Sequence, residues 1–467
     1  METQRPSIFS FRYLYFIILG ISALAIYYPI LSNQLLDFWD DQWVVMNQYT
    51  EGGFTFQNIW RILTEFYHGQ YAPFNEYLYL ILYSVAGYNP FVFHLASLIL
   101  HIINTCLVFL VIEKLLTLSG KIDIKIIPPV SLITSLIFCV HPFNVESVAW
   151  MSASKVLVYA LFYLLATYTF LRYMETAKAR FYIYTLLLYV LSFLGKEQAV
   201  VFPVWMLLIY WLLNRKLSDR KAWMATLPFF VLSIIFGIVT IYSQYTDGGG
   251  FLAGHDNYPV WQRIVYASYA YLEYLFKIIF PFKLSYLYPF PSAIGDPLPN
   301  WLLVYPAIIL VIAVSLWTFI RQWPMAFGFL FFTIHIALAL HIIPLSRFAI
   351  VADRYAYVAV IGIGFILAYY GVILYNRIRK KSLKLLTVIL FTSYILYLGF
   401  YAHKRTYTWY NTDTLKKELR ELLKQRNDYH LFQPDNGTMK TYLIFYDSVV
   451  FRQSRHWRDE NNQKMNS

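Results

Sequence analysis

The sequence predicts an all-α polytopic membrane protein with about 11 transmembrane helices, a long first outer loop and a short C-terminal extramembrane tail. Hydrophobic residues make up 59% of the 467 residues and charged residues only 14%. The mean hydropathy of +0.49 lies outside the usual range of soluble domains. Apolar runs of roughly 17 to 25 residues, long enough to cross the ~30 Å hydrocarbon core as helices, recur between residues 11 and 402.

Each apolar run is predicted to form one membrane-crossing helix. The first has no small-residue cleavage site behind it, so it is predicted to be a retained helix and not a removed signal peptide. Cys106 and Cys139 both fall inside apolar runs and provide neither a metal-binding spacing nor a disulfide framework. The predicted crossings are 11–31, 91–116, 126–140, 155–174, 181–194, 198–213, 223–242, 301–320, 323–342, 355–375 and 383–402.

The basic residues set the predicted orientation of these helices. Lys and Arg in short loops mark the cytoplasmic side, so the net charge of +12 indicates lipid headgroups, and no nucleic acid, as partners. The first loop (residues 32–90) and the tail (403–467) then lie outside. The segment 257–281 carries three charges and is predicted to lie in the outer interface or to form a re-entrant pair. The inner basic residues are Lys114, Lys121, Lys125, Arg172, Lys178, Arg180, Arg215, Lys216, Arg220, Lys221, Arg377, Arg379, Lys380, Lys381 and Lys384.

Charged clusters collect at the predicted outer ends of the helices. Ionisable residues are costly there unless they face a cavity in the protein, so clusters that converge on one side predict a site. Local pairing or solvation of adjacent charges, Lys196 with Glu197 and Asp353 with Arg354, is the alternative. The clusters are DFWDDQW (37–43), HPFNVE (141–146), GKEQ (195–198), Asp256 with LSYLYPFP (284–291), Ser346-Arg347 and ADRY (352–355), and they supply His141, Glu146, Glu197 and Asp353 as predicted site-supporting residues.

Asp40 and Asp41 are the candidate catalytic residues because they lie between Trp39 and Trp43, whose rings favour the apolar boundary. A carboxylate that is partly removed from water there has a raised proton affinity, which suits a general base. Consecutive side chains point in different directions, so one acid can reach the site while the other caps the following helix. Asp41 lies further from the first helix and is predicted as the base, with Asp40 as a structural or metal-side partner. The same pair could instead hold a divalent cation.

Four basic residues are the candidates for binding a phosphate on the same side. Arg offers a planar, bidentate fork, and Lys offers a point charge. Acids in the first loop and cations in later segments therefore make two half-sites, one for a hydroxyl nucleophile and one for a lipid-phosphate leaving group. The candidate phosphate-binding residues are Lys155, Lys196, Arg347 and Arg354.

Five motifs occur in a fixed order, DFWDDQW, HPFNVESVAWMSASKVL, FLGKEQAVVFPV, FPFKLSYLYPFP and VADRYAYVAVIG. Over about residues 10 to 410 the chain resembles the membrane half of bacterial relatives of the transmembrane and tetratricopeptide-repeat O-mannosyltransferases. The resemblance implies a GT-C fold and transfer of a mannose-like hexose from a polyprenyl-phosphate carrier to a protein or glycan hydroxyl. It implies a base at Asp40 or Asp41, and a site on the periplasmic face of a bacterial inner membrane.

The chain departs from this family in three places. An Arg expected before Pro73 is replaced by Ala72, Lys155 is followed by Val156 where an acid is common, and no 34-residue repeat follows the last crossing. The predicted domains are a glycosyltransferase-like unit (1–402) and a partly helical tail (403–467). The missing Arg and repeats favour the alternative of a catalytically inactive scaffold. A polytopic transporter is a further alternative, although charges near the middle of the spans would be expected for it.

Overall fold

The computed structural model describes residues 8–37, 39–215, 220–245, 258–292, 296–319, 322–343 and 349–424. Within these residues the protein is all-helical and contains no β-strand, in agreement with the predicted fold class. The α-helices are α1 (Ile8–Tyr27), α2 (Asp41–Val44), α3 (Gln48–Glu51), α4 (Phe56–Thr64), α5 (Pro73–Ala86), α6 (Pro90–Ser119), α7 (Ile127–Val140), α8 (Asn144–Ala149), α9 (Ser154–Thr176), α10 (Ala179–Gly195), α11 (Phe202–Leu212), α12 (Arg220–Tyr245), α13 (Val260–Ile279), α14 (Val304–Phe319), α15 (Trp323–Ile336), α16 (Val360–Arg377), α17 (Lys381–Thr406) and α18 (Thr412–Lys424).

The described part of the chain contains 6 helices that are long and apolar enough to cross a membrane: α1, α6, α9, α12, α16 and α17, some with a short flanking turn. They indicate an integral membrane protein. The other predicted crossings coincide with shorter apolar helices of 10–17 residues, namely α7, α10, α11, α14 and α15. Every predicted crossing therefore overlaps a helix, whereas the count of about 11 crossings stays a prediction.

Local signals in the sequence explain where helices start and stop. The longest helix, α6, follows Asn89, whose side-chain oxygen accepts a hydrogen bond from the Phe91 backbone N–H at 3.1 Å. Pro90 occupies its first turn, where a backbone N–H would have no partner within the helix. The helix ends at Gly120, which adopts a left-handed φ of 60° that costs glycine little.

Two segments differ in detail from the sequence predictions. Residues 260–279 form one continuous helix, α13, and not a re-entrant pair. This helix packs on the bundle: the Tyr271 ring meets Phe332 of α15 at a centroid distance of 5.2 Å. The last long helix, α17, continues to Thr406, across the predicted domain boundary at 402, and α18 follows it. The division into two domains stays a prediction.

Close backbone packing places the segment that precedes α16. A Cβ on Gly362 of α16 would lie only 2.5 Å from the backbone oxygen of Gly328 in α15, so these helices can approach this closely only with glycine at the contact. Small residues at helix crossings are typical of membrane bundles. The contact fixes α16 against its neighbours, and the 3-10 turn Asp353–Ala356 lies just before that helix.

The first predicted outer loop is a folded element that contains α2 to α5. Asn47 accepts hydrogen bonds from the backbone N–H groups of Tyr49 and Thr50 and donates one to Glu76 at 3.0 Å, which ties α3 to α5. Between α4 and α5, residues 67–70 form a tight turn closed by two backbone hydrogen bonds. His68 and Gly69, at its centre, have positive φ angles of 46° and 67°, as a type I′ turn requires.

Candidate functional site

A cavity of about 250 Å³ lies between the first loop and one end of the helix bundle. The start of α9, the end of α12 and the segment before α16 all reach it, together with the turn 68–72 of the first loop. It is the place where most of the predicted outer clusters converge. The charged residues that line it are Asp40, Lys155, Lys196, Glu197 and Arg354.

Asp40 is half-buried on the wall of this cavity. Burial raises the pKa of its carboxyl, while the nearby charges of Lys155 and Arg354 oppose the rise. The two flanking tryptophans are half-buried and pack on neighbouring rings: Trp39 meets Tyr286 edge-on at 5.4 Å, and Trp43 meets His68 at 4.9 Å. Packing within the protein therefore contributes to the desolvation of Asp40, which was predicted to arise at the membrane boundary.

Asp41 is held away from the cavity. Its side chain is buried, and one carboxylate oxygen accepts hydrogen bonds from the backbone N–H and hydroxyl of Ser152 at 3.1 and 2.5 Å. The other oxygen accepts a hydrogen bond from the Leu36 backbone N–H at 3.1 Å. Burial raises the pKa of Asp41 to about 6. Asp41 thus joins the first loop to the turn before α9, and the predicted preference for Asp41 over Asp40 as the base does not match their positions.

The expected helix cap is also not observed. Asp40 occupies the N-cap position of α2 but its side chain makes no capping hydrogen bond, and α2 has only 4 residues. Asp41 opens this short helix and its side chain points toward Ser152 in the bundle, while Asp40 stays on the cavity side. This division between two adjacent acids follows from the docking of the loop and has no signal in the local sequence.

Arg354 and Asp353 are not paired with each other, so the alternative of a local pair is wrong for these two residues. The Arg354 guanidinium contacts the buried carboxylate of Glu146 at 2.5 Å, and its backbone N–H donates to the same carboxylate at 2.9 Å. It also lies 5.3 Å from the Trp150 ring centroid. Asp353 points away from the cavity and forms an ion pair with Arg405 of α17 at 3.1 Å.

The two lysines of the cavity are held in different ways. Lys196 forms an ion pair with its neighbour Glu197 at 3.3 Å, as the alternative of local pairing predicted, and its ammonium lies 5.3 Å from the Tyr355 ring centroid. Lys155, in the first turn of α9, donates a hydrogen bond to the side-chain oxygen of Gln70 in the first loop. Both ammonium groups therefore face the cavity on side chains that already have partners.

His141 lies outside the cavity. Its Nδ1 accepts a hydrogen bond from the Phe143 backbone N–H at 3.2 Å, so the other nitrogen carries the proton and donates to the Ile278 carbonyl at 2.9 Å. Burial lowers the pKa of His141 to about 4, which keeps the ring neutral. The residue fastens the loop after α7 to α13. Another candidate, Arg347, lies outside the described residues.

The structure adds polar residues that the sequence reading missed. Gln70 lines the cavity from the tight turn, and Ser243 and Gln244 line it from the end of α12. Beside it, a second cavity of about 20 Å³ is lined by Glu76, and burial raises the pKa of that carboxyl to about 7. An acid in the first turn of a largely apolar helix was the available signal for Glu76. Among the described residues, no group of three or more His, Cys, Asp or Glu side chains forms a possible metal site.

Comparisons with known proteins give one partial similarity and no match to a family model. Over 133 residues, which are 28% of this chain, the sequence is 30% identical to "Protein O-mannosyl-transferase Tmtc1" of Drosophila melanogaster. The aligned part covers 14% of that protein, so the chain spans only a small share of its length. The similarity indicates a distant relation to a transferase, in line with the family that the motifs resemble.

Proposed function

We propose that the protein is a membrane glycosyltransferase that moves a mannose-like hexose from a polyprenyl-phosphate carrier to a hydroxyl of a protein or glycan. The observation that carries the proposal is the cavity in which the Asp40 carboxyl lies near the cations Lys155 and Arg354. The partial similarity to a protein O-mannosyl-transferase supports it independently. The reaction would take place at the end of the bundle where these groups meet, on the periplasmic face of a bacterial inner membrane.

The proposed reaction needs a base for the acceptor and positive charge for the leaving group. The acceptor oxygen forms a bond to the anomeric carbon while the bond from that carbon to the phosphate oxygen breaks. The acceptor proton passes to Asp40, and the electron pair of the broken bond stays on the polyprenyl phosphate. The transition state is oxocarbenium-like, and hydrogen bonds from cationic donors stabilise the departing phosphate. Arg354, Lys155 and Lys196 are the proposed donors.

Arg354 is the only arginine among these three proposed hydrogen-bond donors. Glu146 holds its guanidinium and leaves it partly exposed, with 21% of the side chain accessible. In an Arg354→Lys variant the charge stays but the planar fork is lost. The binding free energy of the polyprenyl-phosphate sugar should therefore weaken by roughly 1 to 3 kcal/mol. The affinity is measured by titrating the purified variant with polyprenyl-phosphate sugar. Unchanged affinity for the polyprenyl-phosphate sugar would show that Arg354 does not bind its phosphate.

The direct test is an assay of the purified protein in lipid nanodiscs. A panel of polyprenyl-phosphate sugars is supplied with hydroxyl acceptors, and release of polyprenyl phosphate is measured, with and without a divalent cation. Acceptor-dependent release from at least one sugar is expected. A panel that is bound but never turned over would contradict the enzymatic proposal.

A catalytically inactive scaffold of the same fold is the second candidate. The observation that favours it is that Arg354 and Lys196 already pair with Glu146 and Glu197, which reduces the positive charge available to a phosphate. In that case donor binding without turnover is the expected result of the same assay. A transporter receives no comparable support, because the charged cavity lies at one end of the bundle.

A further inference from the structure

Outside the candidate site, a groove of about 440 Å³ lies between α7, α16 and α17. Tyr375, near the end of α16, lines it, whereas Arg354 of the candidate site lies just before the start of that helix. The 18 residues of α16 rise by about 27 Å, close to the thickness of the hydrocarbon core. The groove, here called the basic-end groove, therefore opens at the opposite end of the bundle from the site.

The walls of the basic-end groove are apolar. Pro129 and Ile133 of α7 form one side, and Val388 and Phe391 of α17 form the other. Gly371 of α16 lies against the Phe391 ring of α17, so these two helices pack closely beside the groove. Most of the apolar side chains on the first half of α17 are exposed, as expected of a helix that faces lipid. Those exposed are Leu383, Leu385, Leu386, Val388, Ile389 and Leu390.

The mouth of the groove is polar and basic. Lys125 and Tyr375 line it, and the Lys384 ammonium lies 4.9 Å from the Tyr375 ring centroid. The one nearby acid in the adjoining turn, Asp123, caps that turn by accepting a hydrogen bond from the Lys125 backbone N–H at 2.9 Å. Four further cations belong to the same end of α16 and α17: Arg377, Arg379, Lys380 and Lys381.

We propose that the basic-end groove binds an anionic phospholipid of the adjacent leaflet. An acyl chain would lie against the apolar walls, and the phosphate would meet Lys125 at the mouth. The excess of basic over acidic residues is the reason to prefer an anionic lipid to a neutral one or to a helix of another protein. The volume is within the ~300 to 1,000 Å³ range of ligand pockets. The proposal does not depend on the glycosyltransferase reaction.

The test compares two lipids with the same acyl chains on the full-length protein in detergent. Binding of phosphatidylglycerol and of phosphatidylcholine is measured by native mass spectrometry. Phosphatidylglycerol is expected to bind more tightly. A basic residue near a membrane surface contributes about 1 kcal/mol to anionic lipid binding. Lys125→Gln should therefore weaken the binding of phosphatidylglycerol about fivefold and leave the binding of phosphatidylcholine unchanged.

Two further variants distinguish lipid binding in the groove from lipid binding on the rest of the membrane-facing surface. Val388→Trp fills the groove and should abolish tight binding, whereas Leu390→Trp, on the exposed face of the same helix and not in the groove lining, should not. Lys178→Gln, in another basic loop, is the matched charge control. Equal affinity for both lipids, or equal effects of Lys125→Gln and Lys178→Gln, would overturn the proposal. Competition by millimolar inorganic phosphate alone would show an anion site without a lipid requirement, and would also overturn it.

Discussion

Two pairs of adjacent charged residues in this protein have divided roles. Asp40 and Arg354 line the cavity, while their neighbours Asp41 and Asp353 are buried and bonded elsewhere. Successive residues in a helical turn point in different directions around the axis, so adjacent charges can serve different surfaces. For Asp40 and Asp41 this makes a matched pair of variants possible, in which the same chemical change is made at neighbouring positions.

Asp40→Asn is expected to lower the rate of sugar transfer by ~10² to 10⁴-fold, because it removes the proposed general base and preserves the shape of the side chain. Donor affinity and thermal stability should survive. The wild-type rate should fall as the pH is lowered through the pKa of Asp40, which burial raises above the ordinary value of an aspartate. A pH–rate profile of sugar transfer measures the rate of each protein and the pH dependence of the wild-type rate. An Asp40→Asn variant with full activity would exclude Asp40 as the base.

Asp41→Asn should instead change how stability depends on pH. The pKa of Asp41 is about 6 in the folded protein and about 4 in an unfolded chain. Its contribution to stability is therefore fully present below about pH 4 and is lost as the pH rises through about 6. The fall in melting temperature between pH 4 and 6 should be smaller in the variant. The pKa of Glu76 is also raised, so Glu76 lowers stability with rising pH in the same way. Part of the fall in melting temperature should therefore remain in the variant. An identical pH dependence in variant and wild type would contradict the assignment.

At the level of elements, α17 is tied to the segment before α16 by one buried ion pair. The guanidinium of Arg405 contacts the Asp353 carboxylate at 3.1 Å and donates a hydrogen bond to the Leu284 carbonyl at 2.7 Å. Tyr288 donates a hydrogen bond to Asp353 from a third segment at 2.9 Å. Since Arg354 directly follows Asp353, this cluster sets the position from which the Arg354 side chain enters the cavity.

Arg405→Gln is expected to destabilise the protein by about 3 to 5 kcal/mol, because it leaves the buried Asp353 carboxylate without its cationic partner. Chemical denaturation of the purified protein in detergent measures the change. Arg377→Gln, at the exposed opposite end of α16, is the control and should be close to neutral. The double variant Asp353→Asn with Arg405→Gln should regain part of the loss. Equal stability of Arg405→Gln and the control would show that the pair contributes nothing.

At the level of the whole molecule, the predicted side of the tail depends on whether α17 crosses the membrane. It has 26 residues and rises by about 39 Å, enough to cross a bilayer. A topology reporter fused after Lys381 is expected on the cytoplasmic side, because the preceding loop is basic, and one fused after Gln425 on the opposite side. The readout is the activity of a compartment-specific reporter enzyme. If both fusions report the same side, the predicted eleven-crossing topology fails.

The helical membrane architecture is predictable from the sequence, because apolar runs and helix caps are local signals, and each predicted crossing overlaps a helix. It also indicated most of the charged clusters that meet at the cavity. The acid that faces the cavity and the partner of each cation are visible only once the chain is folded. The Arg354–Glu146 contact joins residues 208 positions apart, and the Asp41–Ser152 contact joins residues 111 apart. Such contacts depend on how distant segments dock, and local sequence patterns carry no record of that docking.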